Sequence, residues 1–322
     1  MRKAALLYNP DSGGSSERRK KELESAVALL QAGGVDAELI PTESRDHAED
    51  ETRQAIHSGC DTIFACGGDG TVHSIAQVLA TTQVQLAILP MGTANALAHD
   101  IGLPFTIVGA AKAALRGVAR RVAVGRVDYF DLEHRPASRY FVVTAGVGVD
   151  AHLFYKLHAG TKRRMGMAAY YAKAWNLWLT YPMTWFKADY VETGSQEAKR
   201  AEVTELMGVR IRNFGGVLQE LAPGASLERD DMRLVFCRTA SRLAYLMYVT
   251  RGLLRLRWRV PGIDLAHSGK VRCDYKVTAA STDPGVPNPR KIYVEADGEL
   301  LGTLPAEISV VPDALTLLVP SG

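Results

Sequence analysis

Apolar and polar positions follow two periodicities over the first third of the chain. Short continuous apolar runs at 3–8, 35–40, 61–65 and 85–89 have the length of buried strands. Between and after them, 17–31, 45–57, 72–79, 94–99 and 106–115 read as helices. Gly33 and Gly34 end the first helix. This alternation predicts a parallel sheet with helices on both faces. Ligands of such sheets sit at the carboxyl ends of the strands.

Beyond about residue 120 the texture changes. Segments 121–127, 140–145, 204–212, 232–238, 271–280, 291–295 and 306–311 read as strands, mostly without helices between them. That pattern predicts an antiparallel β domain. Two helical patterns interrupt it. One, 166–181, is aromatic-rich; the other, 241–254, places Leu243, Leu246, Met247, Leu253 and Leu254 on one face. The segment 281–290, with three prolines, reads as a loop. The expected fold is an α/β N-terminal domain over 1–122 and a β-rich, sandwich-like C-terminal domain over 123–311, with 312–322 returning to the first.

Composition narrows the class. With 322 residues, 47% hydrophobic and 23% charged, the chain is a folded globular protein, not a disordered or disulfide-scaffold one. Its length favours two domains. Net charge is only +3, but residues 233–276 hold 10 basic and 2 acidic side chains. Such an excess attracts anionic surfaces, although a solvated basic face accounts for it equally well. Cys60, Cys66, Cys237 and Cys273 form no CxxC pair and have no zinc spacing, which fits inert thiols in a reducing cytosol. The N-terminal apolar run is too short for a signal peptide, and no run of 18 uncharged apolar residues exists. Any membrane contact is therefore expected to be peripheral, from the cytoplasm.

The strongest chemical signal is Cys66-Gly67-Gly68-Asp69-Gly70-Thr71, between an apolar strand and a helix. Its glycines let the backbone approach a ligand closely, and N–H groups at a helix start cradle phosphate. Asp69 places a carboxylate where a metal ion accompanying phosphate would sit. A tight turn with an N-cap is the plainer alternative for this loop taken alone. Leu89-Pro90-Met91-Gly92-Thr93-Ala94-Asn95 and Asn9-Pro10-Asp11-Ser12-Gly13 are further polar loops after strands. Three such loops on one sheet edge point to a polyphosphate pocket. None fits GxxxxGK[ST] or GxGxxG.

At these spacings the three loops, with Ile101–Pro104, resemble the diacylglycerol kinase catalytic domain of soluble bacterial lipid kinases. The GGDGT element is shared with NAD kinases. The likeness continues through Asp128, the segment 145–151, Leu221-Ala222-Pro223-Gly224-Ala225 and Asp297-Gly298-Glu299. It implies ATP and Mg²⁺ as cofactors and a lipid hydroxyl as acceptor. Asn9, Pro10, Asp11, Ser12, Gly13, Thr42, Gly67, Gly68, Asp69, Gly70, Thr71, Val72, His73 and Thr93 would hold the nucleotide. Glu299 would be the general base, with Asp297 beside it. A structural magnesium would sit after the LAPGA segment on Asp230 and on the backbone carbonyls of Leu227 and Met232, and Asp69 would face the nucleotide's metal. Without the resemblance, Asp297-Gly298 reads first as a hairpin turn.

The chain departs from the family pattern at two places. His73-Ser74 stands where Asn-Glu is usual, and Asp231 stands where glycine is usual at the magnesium turn. Residues 169–186 hold three of the four tryptophans and follow a basic cluster at 158–164; Trp258 lies among Arg251, Arg255, Arg257 and Arg259. Both segments are expected to flank a lipid entrance and dock on an anionic membrane surface. The expected partners are a lipid substrate and that surface, not nucleic acid, and a homodimer stays open. A NAD-kinase-like small-molecule kinase and a non-catalytic lipid-binding protein on the same fold are the alternatives.

Overall fold

The computed structural model describes residues 1–10, 16–149, 151, 180, 183–215, 220–254, 256, 258–276 and 291–321. Asp11, Ser12, Gly13, the 166–181 helix except Thr180, the 158–164 basic cluster, Arg255, Arg257 and the 281–290 loop lie outside the described residues.

The first half alternates strands and helices: β1 (Lys3–Tyr8), α1 (Ser16–Ala32), β2 (Asp36–Pro41), α2 (Arg45–His57), β3 (Thr62–Gly67), α3 (Asp69–Leu79), β4 (Gln85–Pro90), α4 (Ala96–Asp100) and α5 (Ile107–Leu115). The four strands run parallel in the order β2-β1-β3-β4. β3 is buried at every position, which is why its sequence is an unbroken apolar run rather than an alternating one. Helices α1 and α5 cover one face around Leu23, Leu30, Phe64 and Ala110. Helices α2 and α3 cover the other, around Ala55, Ile63, Ile75 and Leu79.

The second half is β-rich: β5 (Val118–Phe130), β6 (Pro136–Phe141), β7 (Thr144–Gly148), β8 (Phe186–Val191), β9 (Ala198–Val203), β10 (Glu205–Val209), β11 (Met232–Cys237), β12 (Ile263–Ser268), β13 (Lys270–Tyr275), β14 (Tyr293–Ala296) and β15 (Glu299–Val319). Among the described residues a further helix, α6 (Arg242–Leu253), joins β11 to β12. Among the described residues the two halves share one continuous sheet, joined through β15. The first residues of β15 pair with β14, its middle with β5 and β13, and Thr316–Leu317 run parallel to β4.

The strand boundaries carry information. The pattern over 306–311 belongs to a strand of 21 residues. Pro305 and Pro312 interrupt its periodicity, and both fall at register shifts against β5, where a missing N–H is tolerated. The expected strand 140–145 is two strands, β6 and β7, because the N–H groups of Val142 and Val143 leave the ladder to bind a side chain. β8, β9 and β12 have partly exposed, polar-rich patterns that gave no strand signal.

Close packing fixes Gly125 on β5. A Cβ there would fall 2.0 Å from Cζ of Phe141, which is fully buried. Gly125→Ala is expected to cost roughly 1–3 kcal/mol of unfolding free energy through overpacking. Urea unfolding checks it.

Candidate active site

Three strand-to-helix connections meet at the carboxyl edge of the parallel strands. Gly67 ends β3, Gly68 caps α3, and Asp69 is the first residue of that helix. The helix therefore begins three residues before the expected 72–79, and Asp69-Gly70-Thr71 forms its first turn. Gly68 and Gly92 touch: a Cβ on Gly92 would stand 2.5 Å from the Gly68 Cα. By contrast, a Cβ on Gly70 would meet only the guanidinium of Arg45, at 3.9 Å, so this side of the loop is open. The first N–H groups of a helix lack intrahelical partners, which makes this a suitable place for phosphate oxygens.

Asp69 ties the first loop to the second. Its carboxylate oxygens accept from the N–H groups of Asn95 (2.9 Å) and Ala96 (2.7 Å). Burial raises its pKa, and those two bonds only partly offset the rise. Asn95 takes a left-handed conformation and closes its own loop by bonding both N–H and C=O of Gly92. Thr93 is exposed on this loop, Asn9 and Pro10 follow β1, and buried Thr42 follows β2, its N–H donating to the Tyr8 carbonyl. Thr71 is half-buried in the first turn. Val72 is a core residue whose N–H already donates to the Gly68 carbonyl, so it presents nothing to a ligand.

The second half delivers its carboxylates on a hairpin. Ala296 pairs with Glu299, leaving Asp297-Gly298 as a two-residue loop with φ of 47° and 79°. Two positive φ values make the tight turn that matches strand twist. The hairpin reading of Asp297-Gly298 thus holds, and the same turn carries the carboxylates of Asp297 and Glu299. The Asp297 carboxylate accepts from the N–H groups of Val142, Val143 and Thr144, each at 2.9 Å, and its own N–H donates to the Thr144 carbonyl. His73 Nδ1 completes the set at 3.0 Å. Asp297 is therefore a positioning residue, because every contact it makes is to the protein's own frame.

His73, 1% exposed, bridges the halves. A carboxylate only accepts, so Nδ1 carries the proton and Nε2 is the acceptor in the neutral ring. Nε2 lies 3.3 Å from Gln77 Nε2 and 3.8 Å from Glu299 Oε2. Gln77 also bonds both backbone groups of Tyr140 on β6. Glu299 is 8% exposed, and its other oxygen lies 2.8 Å from Arg45 Nη1. Arg45 and Gln77 escaped sequence reasoning. Gln77 had a signal, since it lies one helical turn after His73 on α3.

The expected magnesium turn is built differently. Asp230 is exposed, Leu227 and Met232 are buried in cores, and no group of three metal-ligating side chains occurs among the described residues. Instead, the fully buried guanidinium of Arg210 donates to the carbonyls of Arg229 (2.8 Å), Asp231 and Ala123 (2.9 Å). Burial lowers its pKa to about 10, against the charges of Asp231 and Asp230. The Asp231 carboxylate is filled by Arg229, at 2.6 Å to each oxygen, by Thr193 and by His267. Burial alone would raise its pKa, but these partners hold it down to about 2. Arg210 thus holds the carbonyls on either side of Asp230, while the expected ligands, the Leu227 and Met232 carbonyls and the Asp230 carboxylate, are not among its partners. Each oxygen of Asp69 accepts one backbone N–H, which leaves acceptor capacity on both, whereas Asp297 accepts three backbone N–H groups and His73.

Helix α6 carries the expected apolar face and turns it outward. Its buried face is polar: the Tyr245 hydroxyl meets the Thr204 hydroxyl, Tyr248 donates to the Leu221 carbonyl, and Arg251 stacks on Tyr248. Leu243 (65%), Leu246, Met247, Leu253 and Leu254 (60%) point outward, continued by Leu256 and Trp258. No helix among the described residues is long and apolar enough to cross a membrane.

Residues 3–127 match the diacylglycerol kinase catalytic domain family. The chain is 26% identical over 310 residues to a diacylglycerol kinase of Bacillus subtilis strain 168, covering 95% of this chain and 93% of that one. It is 31% identical over 180 residues to a diacylglycerol kinase of Staphylococcus aureus strain MRSA252, which is 55% of this chain and 54% of that one. Among solved structures, a diacylglycerol kinase structure from Bacillus anthracis strain Sterne aligns over 99% of this chain and 96% of its own, with a TM-score of 0.68 at 18% identity. Yeast NADH kinase complexed with NADH aligns over 99% and 84%, with a TM-score of 0.52 at 12% identity. These two structures establish the architecture: a parallel α/β half and a β-rich half of the diacylglycerol kinase and NAD kinase type.

Arg210→Met is expected to strand three buried carbonyls and lower the unfolding free energy by about 3 kcal/mol or more. Thermal unfolding of the wild-type protein is expected to be the same in EDTA and in excess Mg²⁺. A melting temperature that rises by several degrees with Mg²⁺ would show that the turn holds a metal after all.

Proposed function

The chain belongs to the diacylglycerol kinase catalytic-domain family, and we propose that it transfers the γ-phosphoryl group of Mg·ATP to a lipid hydroxyl, diacylglycerol or a related lipid alcohol. The observation that carries this reading is the position of Glu299. It is buried at the start of β15, and it faces the open side of the GGDGT turn through His73 and Arg45.

Phosphoryl transfer depends on positioning and on neutralising charge around the γ-phosphate. Mg²⁺ bound to the phosphates supplies part of that neutralisation. The turn at Gly67, Gly68, Asp69, Gly70 and Thr71, with Asn9, Pro10, Thr42 and Thr93, would hold the nucleotide, and the family resemblance adds Asp11, Ser12 and Gly13 to that set. Glu299 would accept the lipid hydroxyl proton as that oxygen bonds to the γ-phosphorus and the bond to the ADP oxygen breaks. Asp297 fixes the hairpin, and its bond to His73 ties that hairpin to α3.

The lipid must be met at a surface. The outward face of α6, with Leu256 and Trp258, is apolar, and residues 233–276 hold 10 basic and 2 acidic side chains. Arg233, Arg251 and Arg259 line a cavity of about 780 Å³ beneath it, together with Trp258. An apolar face rimmed by cations is complementary to an anionic bilayer. This face would dock the enzyme peripherally on such a membrane.

ADP release from Mg·ATP with a panel of lipid alcohols in mixed micelles tests the chemistry. Turnover on one lipid is expected, falling by about two to four orders of magnitude in Glu299→Gln. Phosphorylation of NAD instead of any lipid would overturn the acceptor assignment, and ATP binding without turnover would favour a non-catalytic role. Docking is tested by sedimentation with phosphatidylglycerol and phosphatidylcholine vesicles. Binding to the anionic vesicles, lost in Leu246→Glu/Leu253→Glu, is expected. Equal binding by the variant, or a dimer that the variant dissolves without any vesicle binding, would overturn the docking assignment.

A further inference from the structure

Arg45 occupies a position that helix formation does not explain. It is the first residue of α2, directly after the N-cap Ser44, whose side chain accepts from the His47 N–H. The N-terminal end of a helix carries the positive pole of its dipole, so a cation there is unfavourable. Its side chain is 56% exposed, yet it turns inward to the 8%-exposed Glu299. The other nitrogen of the same guanidinium, Nη2, is the neighbour that a side chain on Gly70 would meet. One planar cation thus spans the gap between the open turn of α3 and the carboxylate of the β-rich half.

That placement has two chemical consequences. While Nη1 lies 2.8 Å from Oε1 of Glu299, that oxygen is covered by a cation and is not open to a substrate hydroxyl. A terminal phosphate over Gly70 would offer the guanidinium a second anionic partner, and the planar fork of arginine fits phosphate oxygens in pairs. The side chain is long and largely solvent-exposed, so it can exchange one anion for the other without moving the backbone.

We propose that Arg45 is the γ-phosphate sensor of this site. Without nucleotide it covers Glu299. When a nucleoside triphosphate occupies the turn, it transfers to the γ-phosphate and uncovers the carboxylate. A diphosphate, which lacks that group, leaves Arg45 on Glu299. No covalent bond changes in this step; one ion pair is exchanged for another. The inference rests on the lipid kinase reading for the identity of the acceptor, but not for the nucleotide contact itself.

The test reads binding as well as rate. Mg·ATP and Mg·ADP affinities are measured by isothermal titration calorimetry for wild type, Arg45→Gln and Arg45→Lys, with thermal unfolding as the folding control. Wild type is expected to prefer ATP by roughly tenfold, and Arg45→Gln to bind the two nucleotides about equally. Arg45→Lys is expected to retain part of the preference, since it keeps the charge but loses the fork. With a phosphorylated lipid in hand, Arg45→Gln lowers kcat as well as ATP affinity. An unchanged ATP-to-ADP ratio in Arg45→Gln, or equal weakening for both nucleotides, overturns the sensor role and leaves the kinase reading intact. A wild-type protein that binds neither nucleotide overturns the kinase reading itself.

Discussion

The Asp297 carboxylate is the anchor on which the rest of the site depends. It gathers three successive N–H groups from the break between β6 and β7, and it holds the δ-nitrogen of His73 from the other half of the molecule. A carboxylate with that many donors is hard to displace, because removing it would leave several buried N–H groups without partners. The left-handed backbone at 297 and 298 is held in place by the same contacts. Glu299 is the next residue out of the turn, and its position is inherited from them.

The two halves meet through side chains that could not have been matched by local propensity. His73 and Gln77 project from one face of α3 toward the hairpin and the β6 backbone. Glu49 on α2 meets Arg139 on β6 at 3.0 Å. Beneath these contacts, β5 and β15 pair along much of their length and run from the β-rich half into the parallel sheet. Two flexible linkers would permit the halves to hinge, but a paired two-stranded ribbon resists it.

Much of the frame was legible in the sequence, because buried parallel strands leave unbroken apolar runs and their helices leave 3.6-residue periods. The three loops and the DGE turn were legible as chemistry through their glycines and carboxylates. Three things were not. Arg210 looks like any arginine near the end of a strand, and only the fold shows that three carbonyls converge on it. The outward apolar face of α6 has the same period as an inward one, and periodicity alone does not say which side is core; Tyr245 and Tyr248 decide it by finding polar partners inside. The length of β15 was hidden by two prolines at bulges. Arg45 left a faint trace, a positive charge at the start of a helix where a negative one is favoured.

The course of β15 also bears on how the protein folds. Leu315 and Leu317 are fully buried in the core of the parallel half, and Thr316 and Leu317 pair with β4. That half is therefore discontinuous in sequence: residues 3–115 supply four strands and their helices, and the strand beside β4 comes only after the whole β-rich half. A fragment ending at residue 122 would leave the β4 edge unpaired and part of its core open. Contacts of such long sequence separation make the two halves one cooperative unit rather than two beads on a string.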